Sequence, residues 1–490
     1  MLSPTLDEAK ALLDFSIIPV KYELLSDFIT PIEALRRLRA ASRHCYILES
    51  VENREKWGRY TFLGYDPKLE ISCTNGKMTV KDERTGGVKV SEAAHPAEYL
   101  RDLMNRLRSP KLAGFPSFTG GLVGYFSYDY IKYSEPTLTL DALDEENFKD
   151  VDLMLFDKVI VFDNILQKII LIVNISAKNI SEEYKRAETE LLEMENLIRN
   201  GQPAKSSPPK LKSEFRHLFG KEAFCGMVEK AKKYIFEGDI FQVVLSNRLD
   251  ADFEGSLLDV YRILRSTNPS PYMFYFSSDD MEVAGASPET LVKLEDGTLH
   301  TFPIAGSRPR GKTEDEDKRL EAELRADEKE LSEHNMLVDL GRNDLGKICR
   351  FGTVEVEKYM EILRFSHIMH ICSTVKGQIR DDCDALDAVN AVLPAGTLSG
   401  APKLRACEII NELENNKRGI YGGAVGYIAF NGNLDTCIGI RLCYKKNGRV
   451  FVRAGAGIVA DSVPEREFTE CVNKAKAVVK ALEAVTEGKL

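Results

Sequence analysis

Glu330-Leu-Ser-Glu333-His-Asn-Met-Leu-Val-Asp-Leu-Gly-Arg-Asn-Asp344 closes a run, starting at Thr313, that is rich in Glu, Lys, Leu and Ala and holds no Pro or Gly before Gly341. That composition predicts one continuous helix ending near Gly341. Leu337 and Leu340 lie four and seven residues beyond Glu333, so Glu333 continues an apolar stripe, and Glu330 sits one turn further back on the same face. A carboxylate aimed at a core must be paired, protonated or bound to a cation. A boundary ion pair is the ordinary outcome at such a position. What sets this stretch apart is a matching helix far along the chain.

The matching helix lies near the C-terminus. Ser462-Val463-Pro464-Glu465 reads as a capping-box start with Pro in the first turn. Beyond it Glu467, Glu470 and Lys474 share one face at i, i+3 and i+7, while Phe468, Cys471, Val472, Ala475 and Val479 can form the buried side. Two helices that each present a pair of acids suggest a hard-cation site. Mg²⁺ favours few carboxylates, several waters and an anionic group of the substrate. A solvated acidic face has the same pattern, so the assignment depends on the rest of the chain.

At 490 residues the chain exceeds one ordinary core, which predicts two domains or one elaborated fold. Hydrophobic content of 43% and charged content of 29% fit a soluble globular protein. A net charge of −10 argues against a nucleic-acid surface, and it requires local cations for any anionic substrate. Ten Cys without a C-x-x-C pair, in a chain without a signal peptide, predict reduced thiols and a cytoplasmic location. The most apolar region, 151–175, is broken by Asp157, Lys158, Asp163 and Lys168. It reads as a hairpin turning at Asp163-Asn164, not as a membrane span.

Hairpins joined to helices imply an α+β fold with largely antiparallel sheets. Thr30 is expected to cap a short helix to about Arg39, with strands over 45–51, 60–65 and 120–125 and helices over 96–107 and 181–199. Gly201 to Ser213, rich in Pro and Lys, is the best linker, and it divides an N-terminal half (1–200) from a second half (214–490). The second half is expected to open with a helix over 221–237 and a strand over 240–249.

Two motifs tempt. Gly306-Ser-Arg-Pro-Arg-Gly311-Lys312-Thr313 matches the P-loop pattern between a strand and a helix, which gives a P-loop NTPase some weight. Against it, Pro309 lacks the N–H a phosphate cradle needs, and Glu314, Asp315, Glu316 and Asp317 place like charge where the phosphates would sit. Gly455-Ala-Gly457-Ile-Val-Ala460, expected just after a strand over 449–454, resembles a dinucleotide fingerprint. Its surroundings are hairpins, so close backbone approach to some ligand, or a turn, is the better use of these glycines.

Several stretches together resemble the chorismate-utilising enzymes, and among them the anthranilate synthases. They are Gly-Asp-Ile-Phe-Gln242, Gly-Ala-Ser-Pro-Glu289, Pro303-Ile-Ala305-Gly306-Ser307-Arg-Pro-Arg-Gly and Glu333-His-Asn-Met-Leu-Val-Asp. Later come Ser366-His-Ile-Met-His370, Pro394-Ala-Gly-Thr397, Arg418-Gly-Ile-Tyr421 and Gly455-Ala-Gly457. The resemblance is dense over the second half and looser over the first. It implies two intertwined halves forming a β-sheet sandwich flanked by helices, the first half regulatory and the second catalytic.

Chorismate is a dianion to which ammonia adds at ring carbon 2 as the carbon 4 hydroxyl leaves; pyruvate is then eliminated. By resemblance Glu333 and Glu470 hold Mg²⁺, with Glu330 and Glu467 in support. Glu289 matches the general acid for the departing hydroxyl, and His370 a histidine that assists the elimination. Tyr421, Arg441 and Lys474 match positions facing the pyruvyl carboxylate. Gly306, Ser307, Thr397, Gly455 and Gly457 match backbone and hydroxyl contacts; Ser307 replaces the family's usual Thr. His334 and His367 lie near motifs and receive no role.

Two positions discriminate within the family. Relatives that add water carry Lys where this chain has Gln242, and a neutral amide cannot be a general base. Aminodeoxychorismate synthases, the alternative reading, often use a nucleophilic Lys where this chain has Ala305. A glutaminase nucleophile motif is lacking, so the resemblance implies a separate glutamine amidotransferase subunit. Glu49, Ser50, Asn268, Pro271, Tyr272, Met273 and Cys437 resemble the family's tryptophan feedback site.

Overall fold

The computed structural model describes residues 2–50, 58–204, 208–364 and 368–488. Ser366, His367 and part of the expected linker lie outside the described residues. Among those described, two antiparallel sheets, of 13 and 12 strands, dominate the molecule. Facing side chains from both sheets, including Tyr46, Phe62, Phe274 and Phe451 from one and Val123, Tyr125, Phe156 and Val425 from the other, make a single inner core. The outer face of the first sheet packs on the helices Pro31–Ala41, Ile180–Asn200, Leu258–Thr267 and Pro464–Thr486. That of the second packs on Pro96–Arg106, Glu328–Gly346 and Ala385–Val392. Burial on both faces explains why 151–175 reads as nearly unbroken apolar sequence. Asp157 is where the chain crosses from one sheet to the other, between the strands Val151–Phe156 and Lys158–Asp163.

Strands from the two halves of the sequence lie side by side. Cys45–Glu49 pairs with Tyr272–Ser277 in the first sheet, and Gly121–Phe126 pairs with Ala424–Ala429 in the second. The sandwich flanked by helices is therefore as expected, and most elements begin and end within a residue or two of their expected bounds.

Five expectations are corrected. The single helix over 313–341 is two helices, Glu314–Arg325 and Glu328–Gly346. Asp327 restarts the helix, because its carboxylate accepts from the backbone of Lys329 and Glu330, both at 3.2 Å. At the C-terminal helix the cap is Val463, without a capping box. The Ser462 hydroxyl instead accepts from the Val459 N–H at 3.1 Å. The end of the expected linker is an edge strand, Lys210–Leu211, held against Phe253 and Glu254 because Leu211 reaches the core.

The remaining corrections concern the two tempting motifs. Gly455 and Gly457 sit inside the strand Arg449–Ile458, opposite Ser246 and Val244, and not after it. Gly306 to Pro309 belongs to the strand Ile304–Pro309, paired with Ile368–Gln378. Two donors of the P-loop match are already taken: Gly311 N–H donates to Asp317 at 2.7 Å and Lys312 N–H to Glu316 at 2.8 Å.

Candidate active site

The strands Gln242–Glu254 and Arg449–Ile458 run antiparallel, with Val244 opposite Gly457 and Ser246 opposite Gly455, and Gln242 begins the first of them beside Ala401. Space is tight there, most of all at Gly455, where a Cβ would meet the Leu245 carbonyl oxygen at 2.8 Å. A Cβ on Gly457 would lie 2.7 Å from Gln242 Nε2, and one on Gly455 would lie 2.8 Å from the Tyr421 hydroxyl. Gln242 is buried, and its Oε1 has no hydrogen-bond partner among the described residues. A buried amide oxygen left without a donor points to a ligand that supplies one.

Glu289 follows the strand Glu282–Ser287, and its Oε1 accepts from the Thr397 hydroxyl at 3.1 Å. Burial pushes this carboxyl up to about 7, against the opposing pull of Thr397 and of the Lys474 ammonium. His370 lies on Ile368–Gln378, directly across from Ser307, and its Nδ1 is 2.9 Å from the Gly306 carbonyl oxygen. A carbonyl only accepts, so Nδ1 donates and Nε2 is the basic nitrogen of the neutral ring. Burial keeps His370 below its ordinary value, with Arg441 nearby acting in the same direction.

Gly306 has φ of +68° at a bulge in its strand, a conformation that favours glycine. A Cβ there would lie 3.2 Å from Glu330 Oε2, so this bulge abuts the first acidic helix. Glu330 is also 3.7 Å from the Arg308 guanidinium.

Acids of the two helices lie near enough to act on one another electrostatically. Burial raises the Glu333 carboxyl first, and Glu330 and Glu470 raise it further by repulsion. Glu330 is raised by burial and by Asp327, with Glu470 adding to the effect. Glu467 is raised by burial and then by Glu470, while the Ser462 hydroxyl opposes. Lys474 Nζ sits 2.6 Å from Glu470 and 3.1 Å from the Gly455 carbonyl, joining the acids to the glycine strand. Arg441 has φ of +53° and donates to the Lys474 carbonyl; it shares an open cavity of about 660 Å³ with Glu465, Arg466, Glu470 and Lys474. These carboxylates raise one another across two helices, with Lys474 and Arg308 as the cations beside them; the carboxylates are all oxygen donors, the type a hard divalent cation takes.

The catalytic, substrate and acidic candidates thus converge on one region. The tryptophan candidates form a separate place. Glu49, across from Met273 in the first sheet, is buried and bound by the Tyr261 hydroxyl at 2.6 Å and by Arg265 at 2.5 and 3.0 Å. Tyr272 connects this place to the first: its hydroxyl accepts from Thr290, the neighbour of Glu289, at 3.0 Å and donates to Asp435 at 2.8 Å. Cys437 lies across from Thr290, and both are buried; Asn268 and Pro271 precede the strand.

Sequence reasoning missed the ions beneath the site. Glu414, Arg418 and Arg453 are buried together, and Lys403 donates to Asp344, on the first acidic helix, at 2.7 Å. Arg418 lay in a stretch that carried the resemblance. Glu414 sits in Asn411-Glu-Leu-Glu414, which reads as a solvated helix face.

A sandwich of mixed halves with this cluster at one place is the architecture of enzymes that act on chorismate. A family model described as chorismate binding enzyme matches residues 43–480, and the chain belongs to that family. It is 46% identical to anthranilate synthase component 1 of Acetivibrio thermocellus, over 99% of this chain and 100% of the relative. It is 44% identical to the Aquifex aeolicus protein of that name, over 99% of both. The crystal structure of anthranilate synthase component I from Streptococcus pneumoniae superposes with a TM-score of 0.75 at 37% identity, over 93% of this chain and 98% of that one. MenF, the menaquinone-specific isochorismate synthase of Escherichia coli, shares the fold at 18% identity, with a TM-score of 0.70 over 97% and 98%.

Proposed function

We propose that this chain carries out the reaction of anthranilate synthase component 1, converting chorismate and ammonia to anthranilate and pyruvate for tryptophan synthesis. The observation that carries the reading is Glu289, a carboxyl held near neutrality at about 7 and hydrogen-bonded by Thr397. At neutral pH a large share of it is protonated, so it can hand a proton to the carbon 4 hydroxyl as ammonia attacks carbon 2. General-acid help of this kind contributes roughly 10²–10⁴-fold. Gln242 can accept a hydrogen bond from incoming ammonia but cannot deprotonate water, and Ala305 offers no amine nucleophile. His370, neutral with Nε2 basic, assists the elimination that makes the ring aromatic.

Tyr421, Arg441 and Lys474 hold the pyruvyl carboxylate side, and Gly306, Ser307, Thr397, Gly455 and Gly457 give backbone and hydroxyl contacts. Glu333 and Glu470 are the residues we assign to Mg²⁺, with Glu330 and Glu467 in support. The ion, when bound, supplies the positive charge that offsets an acidic site meeting a dianion.

Ammonia comes from a separate glutamine amidotransferase subunit, and the chain alone uses free ammonium. Glu49, Ser50, Asn268, Pro271, Tyr272, Met273 and Cys437 form the place for tryptophan feedback, reaching Glu289 through Tyr272 and Thr290. The location we assign is cytoplasmic. All ten cysteines are unbridged, which supports it. Among the described residues, no helix is long and apolar enough to cross a membrane.

The test is chorismate, Mg²⁺ and ammonium at raised pH. Anthranilate, identified by fluorescence and mass, is the expected product. Aminodeoxychorismate would instead favour the alternative branch, and ATP hydrolysis lost on Lys312→Ala would favour the NTPase.

A further inference from the structure

We propose that Glu414, Arg418 and Arg453 form a buried positioning hub that sets the three walls of the site from beneath; as a statement about catalysis it rests on the function proposed above. Each side chain is about 1% exposed. Glu414 Oε1 accepts from the Ser246 N–H at 2.7 Å, from its hydroxyl at 2.9 Å and from Arg418 Nη2; Oε2 accepts from Arg418 Nε at 2.9 Å and Arg453 Nη2 at 2.8 Å. Both carboxylate oxygens are therefore fully used.

The two guanidiniums spend their other donors on the walls. Arg418 donates to the Leu398 carbonyl at 2.6 Å, fixing the short turn that carries Thr397, and to the Val244 carbonyl at 2.7 Å, on the strand that begins with Gln242. Its guanidinium lies 4.6 Å from the Tyr128 ring centre and 5.8 Å from that of Tyr421. Arg453, two residues before Gly455, donates to the Ser246 hydroxyl at 2.8 Å, to Asn416 at 3.0 Å and to the Lys417 carbonyl at 3.1 Å. The general acid's partner, the neutral amide and the glycine strand are thus all referenced to one carboxylate.

Two cations and one anion without water are costly unless every donor is matched, which makes the geometry all-or-none. A purely structural ion cluster would bind any nearby carbonyls. This one binds Leu398 on the Thr397 turn and Val244 and Ser246 on the strand that begins with Gln242, each within four residues of a candidate site residue. None of the three ions touches substrate; they act through Thr397, Gln242 and the glycines.

Arg418→Lys keeps the charge but cannot span both carbonyls and Glu414. Once the Thr397 turn is released, Glu289 loses the hydrogen bond that lowers its proton affinity. In a variant that remains folded by circular dichroism, kcat should fall at least tenfold with KM changed less than threefold, and the alkaline limb of the pH profile should move upward. Ser246→Ala, a milder change, should give the same pattern at smaller amplitude. Amide exchange without substrate gives an answer that needs no turnover: exchange should quicken at 396–401 and 242–246 and stay unchanged in the strands Lys158–Asp163 and Lys168–Ser176. Wild-type turnover of chorismate tests the function separately. Unchanged exchange at 396–401 and 242–246 in both variants, or kcat within twofold of wild type with an unmoved alkaline limb, would overturn the hub.

Discussion

Glu289 is where chemistry and stability pull in opposite directions. Its ordinary value is 4.5 and its folded value about 7, so the folded chain retains a proton that the unfolded chain sheds across that window. This group therefore favours folding most below 4.5, and its contribution declines as pH rises to about 7, leaving a buried carboxylate that costs on the order of 3 kcal/mol above it. Glu289→Gln should therefore raise the urea midpoint at pH 8 while lowering kcat roughly 10²–10⁴-fold. Equal or lower stability of the variant at pH 8 would contradict the burial argument. In the wild type, kcat should fall through about pH 7 on the alkaline side if the proton on Glu289 is the one delivered. Raised pH in the assay supplies free ammonia, so the profile must be taken at fixed ammonia concentration. Thr397→Val removes the hydrogen bond to Glu289 and should move that limb upward.

The two acidic helices decide how the site is assembled. The acidic faces that carry Glu333 and Glu470 were readable from 3.6-residue spacing, whatever the surroundings, while their shared role was implied only by the family resemblance. The break at Asp327 was not readable, because Glu, Lys and Ala favour helix on both sides of it and the cap depends on one carboxylate turning back. Asp327→Ala should cost about 1 kcal/mol in urea unfolding and loosen the turn that carries Glu330. A loss below about 0.3 kcal/mol, a third of that cap, would mean the helix is set by packing alone. Strand bounds and hairpin turns were legible because Asn-Gly and Asp-Gly turns and period-2 alternation are local signals. The Glu414 hub was invisible for the opposite reason: its partners, Ser246, Arg418 and Arg453, come from three separate stretches, and only the folded chain joins them. Gly455 and Gly457 read as close backbone approach to a ligand or as a turn, and not as strand, because glycine marks turns more often than it marks a strand against which a tyrosine or an amide is packed.

Across the whole molecule, the interleaving of the halves has consequences for both folding and regulation. Residues 214–490 alone would leave Tyr272–Ser277 and Ala424–Ala429 without their neighbours Cys45–Glu49 and Gly121–Phe126. Expressed by itself, that fragment should aggregate, while the full chain stays monodisperse in sedimentation. The same contact places the proposed tryptophan site where the halves join, so tryptophan should lower turnover of the wild type and leave Ser50→Arg unaffected. Equal inhibition of both would remove Ser50 from that site. The central claim is that two helices far apart in sequence share one divalent ion. Calorimetric titration of Mg²⁺ into the full chain, with Glu333→Gln and Glu470→Gln as comparisons, tests it most directly. Saturable binding to the wild type, weakened at least tenfold by each substitution, is the predicted result; binding that both variants retain at full strength would contradict it.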